Sequence, residues 1–108
     1  MFKNQRQVQR VNVNLPIQLN FGTQISLMGS LRDITLKSAF VNIRSSAIHM
    51  TTHDELTFTI EQHAENPQGP IQGTARISRV DPGDGIAIYF TKMDESSLSH
   101  LQQLVGNK

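Results

Sequence analysis

From Val11 onward the chain alternates apolar and polar residues with a period of two. Val11, Val13, Leu15, Ile17, Leu19 and Phe21 are apolar, and Asn12, Asn14, Gln18 and Asn20 lie between them. A strand with one buried face produces this alternation, because successive side chains point to opposite faces. Pro16 brings no N–H to a ladder and so predicts an edge or a bulge within that strand. After Gly22-Thr23, the spacing of Ile25, Leu27 and Leu31 predicts a second strand, with Gly29 marking a bend or a close approach. Ala39, Val41 and Ile43 predict a short third strand; Leu56, Phe58 and Ile60, alternating with Thr57 and Thr59, predict a fourth. Residues 64–70, Ala-Glu-Asn-Pro-Gln-Gly-Pro, are a loop by composition. Ile71 to Val80 reads as a fifth strand. In Asp81-Pro82-Gly83-Asp84-Gly85, proline presets φ for the second position of a tight turn and glycine tolerates a positive φ at the third. Ile86, Ile88 and Phe90 then predict a sixth strand. The period changes at the end of the chain. Leu98, Leu101 and Val105 recur at i, i+3 and i+7 behind Asp94 as N-cap, and Gly106 stops the helix. Six strands and one helix predict a mainly β fold: a small six-stranded antiparallel β-barrel plugged or flanked by a C-terminal helix at about 94–106.

A chain of 108 residues is one domain, and 37% apolar residues suffice for a core. No apolar run approaches the ~18 residues that span a bilayer. The start, Met1-Phe2-Lys3-Asn4-Gln5-Arg6, has no apolar stretch behind its positive charges and so does not read as a secretory signal. The absence of cysteine excludes a disulfide scaffold and thiolate metal sites. A cytoplasmic protein is the expectation. The net charge of +1 hides an asymmetry. Residues 1–53 carry six basic groups against Asp33 alone, a net of +5, whereas residues 54–108 carry −4. A binder of nucleic-acid polymers is usually basic throughout. The split suits a local anion site in the first half, or chance segregation in a short chain.

Enzyme constellations are thin. His49 and His53 stand four apart beside Asp54 and Glu55, but they could share a metal only on a helix or with a third ligand from elsewhere. Thr51 and Thr52 disfavour a helix there, so solvated loop histidines are the better reading. No serine sits in a G-x-S-x-G elbow, and Gly83-Asp84-Gly85 is a lone G-x-G on a hairpin turn. Nothing in the chain supports catalysis.

Two short stretches carry more. Arg6 and Arg10 form R-x-x-x-R ahead of the first strand; at this spacing both side chains face one way, and each guanidinium can fork onto phosphate oxygens or a guanine edge. The bland alternative is two solvated arginines in a polar tail. Asp33, Thr35 and Ser38 sit between two apolar strands. An aspartate can accept from guanine N1–H and N2–H₂, and hydroxyls can donate to phosphate. Equally, such residues close turns by satisfying local backbone groups.

Taken in order, Arg6-x-x-x-Arg10 and Asp33-x-Thr35-x-x-Ser38 resemble the PilZ domain family, whose R-x-x-x-R and [D/N]-x-S-x-x-G motifs bind cyclic di-GMP. Residues 73–80, Gly-Thr-Ala-Arg-Ile-Ser-Arg-Val, and 83–90, Gly-Asp-Gly-Ile-Ala-Ile-Tyr-Phe, are similar to the family's late strand pair, and Asp94-Glu95-Ser96-Ser97-Leu98 to the start of its C-terminal helix. The likeness covers nearly the whole chain and agrees with the strand count. It implies a cyclic di-GMP receptor, a bacterial second-messenger adaptor and not an enzyme. No cofactor beyond the ligand is implied. Arg6 and Arg10 would clamp guanine and phosphate, Asp33 would read the guanine edge, and Thr35 and Ser38 would complete the phosphate contacts. The output would pass through an unidentified protein partner in motility, pili or exopolysaccharide export, without membrane insertion or a nucleic-acid polymer.

The second motif departs from the family. Thr35 stands where serine is usual, Ser38 where glycine closes the motif, and Lys37 where another glycine is common. If the closing position requires φ > 0, Ser38 is strained there by about 1–2 kcal/mol; Lys37 could offset this by meeting a phosphate. On this reading residues 1–10 form a ligand-binding segment, mobile until ligand orders it, and 11–108 the PilZ-like barrel. Two rivals remain: a PilZ-like interaction module blind to cyclic di-GMP, and a small β-barrel that binds single-stranded nucleic acid. The second needs aromatic platforms, and most of the six Phe and Tyr residues fall in the core phase of strands.

Overall fold

The computed structural model describes residues 10–22, 25–43, 51–61 and 69–106. Among these residues it has six strands and one helix: β1 (Val11–Phe21), β2 (Ile25–Ile34), β3 (Ser38–Asn42), β4 (Glu55–Ile60), β5 (Ile71–Asp81), β6 (Gly85–Met93) and α1 (Glu95–Val105). All strand pairs are antiparallel, and the sheet closes in the order β1-β2-β3-β6-β5-β4. The alternation seen in the sequence is what permits closure, since every strand can turn an apolar face inward. Leu15, Ile17 and Leu19 of β1 meet Leu31, Val41, Phe58, Ile60, Ile77 and Ile88 in one core, and the rings of Phe58 and Phe90 lie 5.1 Å apart. Pro16 stands one residue outside the β1–β4 ladder, which spans Ile17 to Asn20, so on that flank its missing N–H has no ladder bond to break. A register shift in β1 between Asn12 and Leu15 adds the expected irregularity.

The turn between β5 and β6 has Gly83 at φ 82°, as the Pro82-Gly83 pair requires. In α1, Asp94 accepts a 2.7 Å hydrogen bond from the N–H of Ser97, and Gly106 closes the helix in the left-handed region at φ 77°. The buried stripe differs from the expectation in one residue. Leu98 is 41% exposed, whereas Ser97, Leu101 and Val105 face inward at i, i+4 and i+8. Ser97 belongs to that stripe because its hydroxyl accepts from the N–H of Gln72 at 3.0 Å, pinning α1 to the start of β5. Once that bond sets the rotation of the helix, Leu98 turns to solvent.

Two further bulges, in β2 and β5, decide where charged residues face. Leu31 pairs with Val41 and Asp33 with Phe40, so Arg32 is an extra residue in β2. Ile77 pairs with Ile88 and Arg79 with Ala87, so Ser78 is an extra residue in β5. A bulge reverses the facing of everything beyond it. Strict alternation from Ile25 would put Asp33 inside the barrel; the bulge at Arg32 puts Asp33 outside and Ile34 in the core. Likewise, alternation from Ile71 would turn Arg79 inward, and the bulge at Ser78 turns it out.

Candidate functional site

Cross-strand partners in an antiparallel sheet share a face. The pairs Asn12–Asp33, Asp33–Phe40, Phe40–Ala87 and Ala87–Arg79 therefore form one row around the outside of the barrel, across β1, β2, β3, β6 and β5. A second row, one step toward the β2–β3 turn, joins Ser38, Tyr89, Arg76 and Glu55. Arg10 immediately precedes Val11, whose partner is Ile34, so it stands one residue past the ladder on the side of that turn. Arg10 is exposed and has no ion-pair partner among the described residues. Arg10, Asp33 and Ser38 are thus brought to one patch of the outer wall. Arg6 lies outside the described residues.

The turn from Thr35 to Ser38 is built by the threonine hydroxyl. Thr35 Oγ1 accepts the N–H groups of Lys37 and Ser38, both at 2.9 Å, while the Thr35 N–H donates to the carbonyl of Ser38 at 2.8 Å. Thr35 is buried, and its hydroxyl also lies 3.2 Å from that of Ser38. The backbone at the two positions where glycine is usual does not call for it. Neither Lys37 nor Ser38 has a positive φ; His53, at φ 74°, is the one such non-glycine position among the described residues. The expected strain at Ser38 is therefore absent. Ser38 starts β3 with an extended backbone, and the hydroxyl of Thr35 takes up the turn N–H groups without needing glycine. Lys37 is exposed at the tip beside Leu36, and its carbonyl accepts from the N–H of Phe90 at 2.9 Å.

Asp33 is the less exposed partner of an ion pair: Arg32 Nε lies 3.3 Å from Asp33 Oδ2, with side-chain exposures of 48% and 13%. Arg32 also carries its guanidinium 4.0 Å above the ring of Phe40, and Arg79 approaches the same ring at 5.9 Å while bound to Asp81 at 3.1 Å. Arg32, Phe40 and Arg79 went unnoticed among the sequence motifs. Phe40 carried a signal nonetheless, since it is a large apolar residue in the outward phase between Ala39 and Val41.

Other parts of the molecule hold less chemistry. Among the described residues no three His, Asp or Glu side chains come close enough to share a metal ion; His49 lies outside them, and His53 sits in the turn before β4. A cleft of about 370 Å³ lined by Gln72, Gly73, Thr74, Lys92, Met93 and Asp94 lies toward the opposite end of β5 from Arg79 and contains none of the motif residues. No helix among the described residues is long and apolar enough to cross a membrane.

A closed six-stranded antiparallel barrel with a capped C-terminal helix and a polar patch on its outer wall defines the class of protein. A family model described as the PilZ domain matches residues 4–107, and the chain belongs to that family. Three solved structures show the same fold. One is the inhibitor of motility MotI/DgrA from Bacillus subtilis, with a TM-score of 0.78 at 16% identity over 95% of this chain. This chain spans 50% of the length of that protein. The PilZ domain of CeSA from a cellulose-synthesizing bacterium gives 0.68 at 18% identity, over 91% of this chain and 95% of that one. The PilZ domain of YcgR from Escherichia coli, solved with c-di-GMP, gives 0.76 at 11% identity, over 96% of this chain and 91% of that one. Among curated proteins none matches the chain.

Proposed function

We propose that this protein is a cyclic di-GMP receptor that acts as a signalling adaptor and not as an enzyme. The observation that carries the reading is the convergence of Arg10, Asp33 and Ser38 on one outer patch, with Arg10 exposed and without an ion-pair partner among the described residues and the bulge at Arg32 turning Asp33 outward. Arg10, with Arg6 from the segment 1–10, supplies guanidiniums for phosphate and for a guanine face. Asp33 accepts from the N1–H and N2–H₂ of guanine. Ser38 offers its hydroxyl and Lys37 its ammonium to phosphate, while Thr35 holds the turn that presents them. Family membership and the likeness to a PilZ domain solved with c-di-GMP support the choice of ligand. Ligand draws residues 1–10 onto the barrel wall, and the surface so formed is read by a protein partner in motility, pili or exopolysaccharide export in the cytoplasm.

Calorimetric titration with cyclic di-GMP, with GTP and a short oligonucleotide as controls, tests this. Saturable binding of the cyclic dinucleotide alone is expected. Heat from none of the three would leave a ligand-blind interaction module, and heat from the oligonucleotide a nucleic-acid binder.

A further inference from the structure

Phe40 is 4% exposed, yet it faces away from the barrel interior, in the outer row between Asp33 and Ala87. What covers it includes two arginines. Arg32 reaches it because the bulge at position 32 re-aims that side chain across to β3, and Arg79 reaches it from β5 over Ala87, which is too small to intervene. Arg32 is held from two sides, by the ring below and by Asp33 Oδ2 at its Nε, so its flat guanidinium is fixed before any ligand arrives. About half of that side chain remains open to solvent.

We infer that Arg32, stacked on Phe40 and flanked by Arg79, is a purine-stacking subsite beside the motif patch; the inference rests on the proposed ligand and assigns it a further contact. A guanidinium already lying on an aromatic ring presents a second planar face on which a purine can stack. A cyclic purine dinucleotide has two bases. With one read at Asp33 and Arg10, the other reaches the Arg32 plate, which adjoins Asp33 in the chain.

Titration of cyclic di-GMP into the wild type and into Arg32→Ala, Arg32→Lys, Phe40→Leu and Arg79→Ala, with thermal melting of each, tests the subsite. Arg32→Ala is expected to bind about tenfold more weakly, and Arg32→Lys to remain near Ala because it keeps the charge and loses the plane. Phe40→Leu should lose a similar factor, and Arg79→Ala about threefold. Unchanged or tighter binding by Arg32→Ala would show that Arg32 only competes for Asp33, and full rescue by Arg32→Lys would show a charge effect; either overturns the subsite. Should Phe40→Leu fail to fold, the Arg32 pair still decides. A wild type that does not bind overturns the receptor reading and the subsite together. A wild type that binds as tightly as the Arg32 variants overturns the subsite alone.

Discussion

Arg10 and Thr35 stand at opposite ends of the range of roles a motif residue can take. Arg10 is exposed and unpaired among the described residues, so its removal takes nothing from the barrel. Arg10→Ala should melt like the wild type and bind cyclic di-GMP about ten- to a hundredfold more weakly, the loss expected for a charge-assisted hydrogen bond in calorimetry. Thr35 is buried and accepts two backbone N–H groups. Thr35→Ala leaves both without that partner and should cost about 1–3 kcal/mol in denaturant unfolding, while Thr35→Ser keeps the oxygen and most of the stability. Ser38 has no positive φ to relieve. Ser38→Gly should therefore lower stability by about 0.5–1 kcal/mol, the entropic cost of glycine in a strand; a gain would mean that the turn is strained after all.

At the scale of elements, α1 is held by few contacts, and their phase can be tested. Leu101 is fully buried against the core, whereas Leu98, one turn earlier and read from the sequence as part of the same stripe, is largely exposed. Leu101→Ala should cost about 2–5 kcal/mol and Leu98→Ala less than about 0.5 kcal/mol by denaturant unfolding. Equal losses would place both leucines in the core and require a different rotation of the helix about Ser97. The bulge in β2 works at the same scale. It places Asp33 outside while keeping Ile34 inside, so one extra residue separates a binding face from a core face.

The whole molecule is a closed ring in which β4 lies opposite β3. A closed ladder resists change on ligand binding, because moving one strand disturbs both its neighbours. The signal is therefore expected outside the ring. Hydrogen exchange should show residues 4–12 gaining protection when cyclic di-GMP is added, while the amides of Leu56 to Ile60 in β4 stay as they were. Equal protection of residues 4–12 before and after ligand would mean that the ligand docks on a preformed site and that the partner reads the ligand itself.

The sequence by itself determined the strands, the helix and its two caps. Their signals are local: a period of two, a Pro-Gly turn, an aspartate before a helix and a glycine after it each act through the backbone of the same few residues. The motif residues were legible for a similar reason, since chemistry and spacing can be read along a chain. Only the tertiary structure decided which face each residue occupies beyond Arg32 and Ser78, because a bulge is defined by the count of residues on a neighbouring strand and not by the bulged strand alone. The barrel order and the gathering of Arg32, Phe40 and Arg79 from three strands follow from the same pairing. The phase of the helix was set from outside as well: the buried hydroxyl of Ser97 meets the N–H of Gln72 on β5, and the inward stripe runs through Ser97, Leu101 and Val105 and leaves Leu98 in solvent.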